Sequence, residues 1–452
     1  MGCLSVGRGI SMPALSSAVA QQCVRITGPY AKIRRQFKVP VGDFEGVQAE
    51  LAKIGGYGYL IEAARYCITQ AVEDGARPSV AAAIAKYHLT ESARKILQAS
   101  MDVHSGHALQ AGPLNLLAEI YSGLPISTVG EGANVMTRNL IIFGQGVMRA
   151  HPFVRHEIIA ATRSQEDPSS LLEFERQFFK HLRFSVRSWF KGGLQGWLNG
   201  RFLEGSGKLK RQQQTVGRLS NAFVCLADLA LLKLGKNLKK SEFISARLGD
   251  ILSHLTLAAC IIKYYSDHEV KESGDELVYA QWALQVCFHE TGLAFQALMD
   301  NFPSSLLLRL YKFNFFPRGT HFSYPKDEQS QRIALSLQVD SKIRKRLSST
   351  CYVGSSDDDP IGRVERAWLA IRDSELVFEK VMDAVKAKKI PRKLTRYDTI
   401  ELAMTSKIIT YAEYTQLISA EKMRDSALSV DEFAFDEFLS FNARVMDSVN
   451  MD

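Results

Sequence analysis

Apolar residues recur along most of this chain at intervals of three and four positions, the spacing that puts them on one face of an α-helix. In the first third of the chain, no stretch alternates convincingly between apolar and polar residues as a half-buried strand would. Glycine- and proline-containing loops separate short helical stretches between residues 105 and 135. The pattern predicts a bundle of five or six helices, the main ones over residues 10–36, 43–53, 57–74, 78–100 and 135–149.

Two local signals set expected boundaries of these helices. Ser11-Met-Pro13 has the form of a cap followed by a proline in the first turn, so we expect the first helix to begin there. Gly55-Gly56 is expected to break the helical pattern that starts near residue 43.

The composition shifts after Pro152, but helical spacing continues. A stretch that contains glycine and tryptophan, residues 192–207, is predicted to be a loop, and residues 315–330 are predicted to be irregular. Long helices are predicted over residues 156–190, 213–266 with a break near Gly235, and 277–299, with shorter helices after them. We therefore predict an all-α protein of two domains, residues 1–153 and 154–452.

Composition agrees with a folded helical protein. Hydrophobic residues make up 46% of the 452 positions and charged residues 23%, which excludes a disordered chain, and only 13 residues are proline. The seven cysteines form no CxxC pair and are odd in number, which indicates reduced thiols in a cytosolic protein. The first nine residues lack the apolar core of a signal peptide, and residues 248–265 are too polar for a spanning helix. We expect a cytoplasmic protein, with a peripheral position at the inner membrane as the alternative.

The formal net charge of +8 is compatible with an anionic ligand or a membrane surface. Two basic clusters, residues 344–346 and 386–396, are expected to be solvated helix faces, with contact to anionic lipid headgroups as the alternative. Neither cluster has the interleaved aromatic residues of a nucleic-acid-binding module, so no nucleic-acid partner is predicted.

One acidic residue stands where a catalytic base could act. Glu131 lies between Gly130 and Gly132 at the start of an apolar helix. The flanking glycines would let a substrate backbone or thioester approach the carboxylate closely. The alternative is a first-turn glutamate that only stabilises the helix dipole, and spacing alone favours this alternative.

Two other groups of polar residues have the spacing of binding sites. Arg34 and Arg35 near a helix end could hold a phosphate, with Phe37 stacked on a ring system, although a solvated basic helix end is the commoner explanation. His104 and His107 have the spacing of metal ligands, but a turn lies between them and no third ligand is evident. No metal site is therefore predicted.

Several short segments are more distinctive than the composition. They include LSVGRGIS at 4–11, IRRQF at 33–37, KYHLTE at 86–91, MDVH at 101–104 and EGAN at 131–134, followed by SARLGDIL at 245–252 and NFP at 301–303. Together they resemble bacterial long-chain acyl-CoA dehydrogenases of the FadE-like type. Residues 1–155 resemble the family's C-terminal helical bundle, and the rest is similar to its extra bacterial C-terminal domain.

The resemblance implies that a medium- or long-chain fatty acyl-CoA is desaturated at its α,β-bond in β-oxidation, with FAD as cofactor. Glu131 matches the family's catalytic base, which removes the α-proton while the β-hydrogen leaves as a hydride to FAD. Arg8 matches the arginine beside that base. Electrons are expected to pass to an electron-transfer flavoprotein.

The resemblance also implies a set of cofactor-binding residues. Arg34 and Phe37 match a pair that reaches the FAD of a neighbouring subunit, so we expect a homo-oligomer. Gly106 falls in a turn near the adenine end of the flavin cofactor. Asp102 and Asn134 complete the expected cofactor-binding set.

The chain also differs from the family pattern. The family usually has Gly-Gly-Lys/Arg-Gly where this chain has residues 105–108, SGHA, and Glu119 stands where an arginine is usual. Family members carry an N-terminal helical domain and a central β-domain before the matching part. We therefore expect a truncated form, whose other half is a separate chain or has been lost. The alternative is a non-catalytic helical assembly or membrane-docking fragment.

Overall fold

The computed structural model describes residues 2–110, 112–147, 151–163, 169–268, 274–303 and 305–434. The all-α prediction is confirmed, because the one sheet in these ranges is a two-stranded hairpin of β1 (Arg35–Gln36) and β2 (Val39–Pro40). The helices of the first part are α1 (Gly2–Ile33), α2 (Glu45–Glu73), α3 (Ser79–His104), α4 (Ala118–Gly123), α5 (Ile126–Val129) and α6 (Asn134–Met136), which continues as a π-helix (Thr137–Gln145).

The later helices follow in the same way. They are α7 (Val154–Arg163), α8 (Ser169–Trp197), α9 (Lys210–Leu234), α10 (Glu242–His268), α11 (Asp275–Asp300), α12 (Ser305–Phe315), α13 (Asp327–Gln338), α14 (Lys342–Leu347), α15 (Pro360–Asp373), α16 (Glu375–Lys386), α17 (Arg396–Thr405) and α18 (Tyr411–Ala427).

The first three helices run up, down and up. Gly9, early in α1, lies close to Ile68, late in α2, whereas Val24 of α1 lies against Gly58 of α2, so these two helices are antiparallel. Thr27 and Ser100, each late in its own helix, share a hydrogen bond of 2.5 Å, so α1 and α3 are parallel. The parallel pair brings the beginnings of α1 and α3 to one end of the bundle and their ends to the other.

Helices from the second half complete the core against α2. The ring of Tyr59 on α2 lies 5.3 Å from that of Tyr264 on α10 and 6.0 Å from that of Tyr279 on α11. One continuous hydrophobic core includes residues from Val19 to Ala427. A smaller core joins α16, α17 and α18. The division into domains at residue 153 stays a prediction.

The expected helix break at Gly55-Gly56 is wrong. Helix α2 runs through both glycines without interruption. A Cβ on Gly56 would lie 2.1 Å from a ring carbon of Trp282, and one on Gly55 would lie 2.6 Å from Ile333. These glycines let α11 and α13 approach the α2 backbone, so they serve packing and do not end the helix.

The expected start of the first helix at Ser11 is also wrong. Helix α1 begins at Gly2 and continues through both Pro13 and Pro29. Its middle is surrounded by other helices, and Cys23 is fully buried. Tertiary packing therefore holds the helix across prolines that would break it in isolation.

The predicted loop over residues 192–207 begins later than expected, because α8 extends to Trp197. Its last turns pack against α12. A Cβ on Gly192 would lie 2.4 Å from the Phe315 ring, and one on Gly196 would lie 2.7 Å from two backbone oxygens. Glycine here again allows close helix contact.

Within the described ranges, two helices are long and apolar enough to cross a membrane by length and composition, α9 and α10. Helix α10 covers the segment judged too polar from the sequence, and 67% of its most apolar window is buried inside the protein. It is a core helix. Helix α9 is less enclosed, with 39% of its window buried.

Candidate functional site

The loop between α5 and α6 brings the two predicted catalytic residues together. Arg8, in the second turn of α1, donates a hydrogen bond of 2.6 Å from Nε to the backbone carbonyl of Glu131. Glu131 has a φ of 55°, a left-handed conformation that is uncommon for a residue with a side chain. Arg8 thus holds the backbone of Glu131 in this unfavourable conformation. The carboxylate of Glu131 takes no part in that hydrogen bond.

The carboxylate of Glu131 is partly shielded from solvent. Its Oε2 atom is buried and has no hydrogen-bond partner among the residues that the structure describes. The carboxylate rests against the backbone of Gly7, where an added Cβ would lie 2.1 Å from Oε1. A carboxylate oxygen without a fixed donor is free to accept a proton from a bound ligand.

A buried lysine that the sequence analysis did not identify supports this loop. The Nζ atom of Lys86 donates hydrogen bonds to the carbonyls of Thr128 (3.1 Å) and Gly132 (2.7 Å), and to Oδ1 of Asn134. Burial, together with the nearby charge of Arg8, lowers the pKa of Lys86 to about 8, against the opposite effect of nearby carboxylates. Lys86 therefore ties both sides of the Glu131 loop to α3.

Asn134 is the second attachment of the loop to α3. Its Nδ2 atom donates to Thr90 Oγ1 at 2.9 Å and to Glu91 Oε1 at 2.7 Å. The side-chain amide of Asn134 thus makes its hydrogen bonds within this chain. Its role in binding a cofactor stays a prediction. The signal for Lys86 and Glu91 was present in the segment KYHLTE, whose helical spacing puts Lys86 and Thr90 on one face.

The other predicted site residues lie at the far end of the bundle. Arg8 and Arg34 are separated by most of α1, which at ~1.5 Å per residue corresponds to about 39 Å. Because α1 and α3 are parallel, Asp102 and Gly106 also lie at this end, where both are exposed. The predicted catalytic residues and the predicted cofactor-binding residues at the far end are therefore too far apart to line one cavity of this chain.

The hairpin at this end presents an aromatic side chain to solvent. Phe37 and Lys38 form its two-residue turn, with φ of 51° and 71°. The Phe37 side chain is 88% exposed, and its ring meets the Phe44 ring edge-on at 6.2 Å. An added Cβ on Gly106 would meet no atom within 4 Å. This surface is open for a large ligand or another subunit.

The larger basic cluster borders the same hairpin. A cavity of about 580 Å³ lies between the hairpin and helices α16 and α17, and Phe37, Lys386, Arg392 and Arg396 line it. Arg396 also binds the buried carboxylate of Glu421 at 2.5 Å. The cluster is therefore not simply a solvated helix face, because part of it shapes this cavity.

Among the described residues, one group has the spacing of metal ligands. Atoms of His151, His181 and Asp228 lie within 4.8 Å of one another. The Nδ1 atom of His151 accepts backbone N–H groups from Phe153 and Val154, so the proton of the neutral ring is on Nε2, which donates to Asp228. A metal would need the lone pair of that Nε2 atom. The group is better described as a hydrogen-bonded cluster than as a metal centre.

Comparison with protein families assigns both halves of the chain. Residues 1–144 match the family model "Acyl-CoA dehydrogenase, C-terminal domain", and residues 148–433 match "Acyl-CoA dehydrogenase, C-terminal, bacterial type". The chain belongs to the acyl-CoA dehydrogenase family.

Three curated proteins are each similar to part of the chain. The 3-(aryl)acrylate reductase of Clostridium sporogenes (strain ATCC 15579) is 33% identical over 111 residues, which cover 24% of this chain and 28% of the relative. Short/branched chain specific acyl-CoA dehydrogenase, mitochondrial, of Bos taurus is 33% identical over 146 residues, covering 31% and 32%. Probable acyl-CoA dehydrogenase YngJ of Bacillus subtilis (strain 168) is 29% identical over 140 residues, covering 30% and 35%.

A solved acyl-CoA dehydrogenase, complexed with FAD and from Bacillus anthracis, has the same fold. The TM-score is 0.58 at 19% sequence identity, and the likeness covers 74% of this chain and 55% of that one. The chain thus spans about a third of the length of the curated acyl-CoA dehydrogenase relatives and about half of the solved structure.

Proposed function

We propose that this chain provides the catalytic base of a flavin-dependent acyl-CoA dehydrogenase that introduces a trans-2 double bond into a medium- or long-chain fatty acyl-CoA in β-oxidation. The proposed base is Glu131, and Arg8 is its positioning residue. The observation that carries the proposal is the buried Oε2 atom of Glu131, which has no partner among the described residues.

Each residue around Glu131 has a distinct part in this reaction. The carboxylate accepts the α-proton of the acyl thioester, since its Oε2 atom has no hydrogen-bond partner among the described residues. Arg8 holds the backbone carbonyl, and Lys86 holds the neighbouring carbonyls of Thr128 and Gly132. Both cations bind main-chain oxygen, so they fix the loop without an ion pair that would occupy the base.

The residues at the opposite end of the bundle fit a bound FAD. Exposed Phe37 could stack on its adenine ring, Arg34 could bind its pyrophosphate, and the open turn at Gly106 leaves room for close approach. When bound, FAD supplies the hydride acceptor of the reaction. Because Arg8 and Arg34 lie about 39 Å apart along α1, we propose that Phe37 serves the FAD of a second subunit. An electron-transfer flavoprotein is the proposed acceptor.

Hydrogen exchange at the α-carbon tests the base directly. The purified chain, with FAD added, is incubated anaerobically with palmitoyl-CoA in D2O, and deuterium at C2 is measured by mass spectrometry together with bleaching of the flavin absorption. We expect exchange by the unaltered protein and a loss of ~10²-fold or more in Glu131→Gln.

Glu119→Gln is the matched control, because Glu119 is an exposed carboxylate twelve positions earlier, in the short helix α4. It should exchange at the unaltered rate. Equal exchange by the Glu131→Gln protein and the unaltered protein, or no exchange by either, would contradict the proposal and favour a non-catalytic assembly.

A further inference from the structure

The outer side of α8 and α12 carries an extended apolar surface. Eight large apolar side chains of α8 are exposed there, although α8 is packed against the protein on its other side. Leu306, Leu310 and Phe313 of α12 are exposed in the same way, and the Phe313 ring meets the Trp197 ring of α8 at 5.2 Å. We call this surface the α8–α12 face; its α8 members are Leu171, Leu172, Phe178, Phe179, Leu182, Val186, Phe190 and Trp197.

Helix α8 is divided into three sectors over residues 176–188. In its last turns Trp189, Gly193 and Gly196 face α12, and the exposed Leu194 lies among the basic residues. At 100° per residue, the buried and half-buried residues of α8 form a seam that includes His181 and Ser188. The exposed apolar residues fall in an arc of about 120° beside this seam. The basic side chains occupy a separate arc of about 80°, and they are Arg176, Lys180, Arg183, Arg187 and Lys191.

The charge of this region is mostly positive, although the exposed Glu173 and Glu175 lie near the start of α8. Between residues 176 and 202 there are six Lys or Arg residues and no Asp or Glu. Helix α12 adds Arg309 and Lys312, both exposed, and also has no acidic residue. A helix with a Phe/Leu/Trp arc next to a Lys/Arg arc has the composition of helices that lie in the interface of an anionic bilayer.

The apolar surface continues beyond α8 toward α9. A cavity of about 420 Å³ opens between these helices, and Phe178, Leu182 and Leu232 line it. Leu232 is itself exposed. Helix α9 is the less enclosed of the two helices that are apolar enough for a membrane environment. The apolar surface therefore extends over three neighbouring helices.

We propose that the α8–α12 face docks the protein on a bilayer of anionic lipids. The apolar arc enters the headgroup region, and the basic arc binds lipid phosphates. Antiparallel two-fold pairing of α8 with its copy would bring two basic arcs to the same side, which disfavours that contact between copies of this chain. The proposal differs from the expectation based on the sequence, which assigned lipid contact to residues 344–346 and 386–396, and it does not depend on the proposed enzymatic function.

Vesicle flotation tests this proposal. The unaltered protein is mixed with vesicles of phosphatidylcholine alone or with 30% phosphatidylglycerol, a composition chosen for its negative charge. We expect it to float only with the anionic vesicles and to be released by about 0.5 M salt. Phe190→Asp and the double variant Arg183→Glu/Arg187→Glu should each lower binding at least ~10-fold.

Two matched controls separate this face from other exposed surfaces. Leu376→Asp changes a side chain of similar exposure on α16, 76% against 73% for Phe190, and Lys388→Glu/Lys389→Glu reverses two charges of the other basic cluster. Both should bind as the unaltered protein does, and circular dichroism should show all variants folded.

Three results would overturn the proposal. The first is that the unaltered protein binds no vesicles, and the second is that it binds neutral and anionic vesicles equally. The third is that Phe190→Asp converts a dimer to a monomer in light scattering while vesicle binding is unchanged, which would make the face a contact between copies.

Discussion

The guanidinium of Arg344 donates a hydrogen bond of 3.1 Å to the backbone carbonyl of Arg25, the carbonyl that Pro29 leaves without its helical donor. Arg344 is fully buried, and it also pairs with Glu365 at 2.6 Å and lies 4.3 Å above the Trp368 ring. The prediction of a solvated face for residues 344–346 is therefore wrong at this position. A basic residue of the second half thus supplies the hydrogen-bond donor that a helix of the first half lacks.

We expect Arg344→Met to lower the free energy of unfolding by about 3 kcal/mol, because it leaves Glu365 short of its strongest partner and the Arg25 carbonyl without a donor. Lys345→Met is the matched control, since Lys345 is an exposed neighbour whose ion pair with Asp340 should contribute less than ~1 kcal/mol. Urea denaturation measures both. Equal losses in the two variants would contradict the assigned role of Arg344.

The glycine at position 56 gives a second test of the interface between the two halves. Gly56→Ala puts a Cβ 2.1 Å from Trp282 and should destabilise the protein by about 1–3 kcal/mol, although alanine favours helix more than glycine does. In the control Gly46→Ala, at the start of the same helix, no atom lies within 4 Å of the new Cβ. That variant should be unchanged or up to ~1 kcal/mol more stable. Thermal denaturation of both variants shows whether close packing or helix propensity determines the change in stability at Gly56.

Helical periodicity predicted the all-α class and most of the long helices, but not the helix limits set by tertiary contact. Gly55-Gly56 and Pro13 have the local chemistry of helix breakers, and only the neighbouring helices explain why α2 and α1 continue through them. The Phe37–Lys38 turn lacks the Asn-Gly pattern of a tight hairpin, so its positive φ angles could not be predicted.

For the candidate site, the resemblance supplied Glu131 and Arg8, but their environment could not be predicted from the residue pattern. Spacing alone favoured a first-turn glutamate. The structure instead places Glu131 before the helix, in a left-handed conformation and with a buried carboxylate oxygen. Lys86 was missed because its three acceptors belong to a loop more than forty residues away in sequence.

The cluster around Asp228 should make stability depend on pH. The hydrogen bond from His181 to Asp228 raises the pKa of His181, and Glu157 raises it further against burial. Burial alone would raise the pKa of Asp228, but hydrogen bonds from His151, His181 and Ser185 outweigh it and hold that pKa well below its usual range. The histidine contribution is complete below about pH 6.5 and is lost as pH rises through the folded pKa. The aspartate contribution is lost only in strong acid.

His181→Gln should therefore cost most stability between about pH 4 and 6.5 and progressively less at higher pH. His156→Gln, at an exposed histidine of α7, is the control and should show a small difference without this trend. Urea denaturation at pH 5, 7 and 9 measures both differences. A cost for His181→Gln that is constant across this range would show that the ring is not charged in the cluster.

Lys86 tests whether the Glu131 loop must be tied to α3. Lys86→Met keeps the side-chain length but leaves the carbonyls of Thr128 and Gly132 and the amide oxygen of Asn134 without this donor. We expect a loss of about 2 kcal/mol in unfolding free energy and at least ~10-fold slower α-proton exchange. Lys53→Met, at a lysine paired with Glu50 near the surface, should leave both measurements near those of the unaltered protein. Normal exchange in Lys86→Met would show that Arg8 alone positions the loop.

Phe37 should matter for cofactor binding and not for folding. Its side chain is 88% exposed, so Phe37→Ala should change the free energy of unfolding by less than ~0.5 kcal/mol. Loss of stacking on an adenine ring is worth about 1–3 kcal/mol, so FAD should bind at least ~5-fold more weakly. Tyr352→Ala, at a similarly exposed aromatic residue, is the control and should leave FAD binding unchanged. FAD retained per chain after gel filtration, together with thermal denaturation, measures both effects. If Phe37→Ala retains as much FAD as the unaltered chain, the aromatic tip of the hairpin does not contact the cofactor.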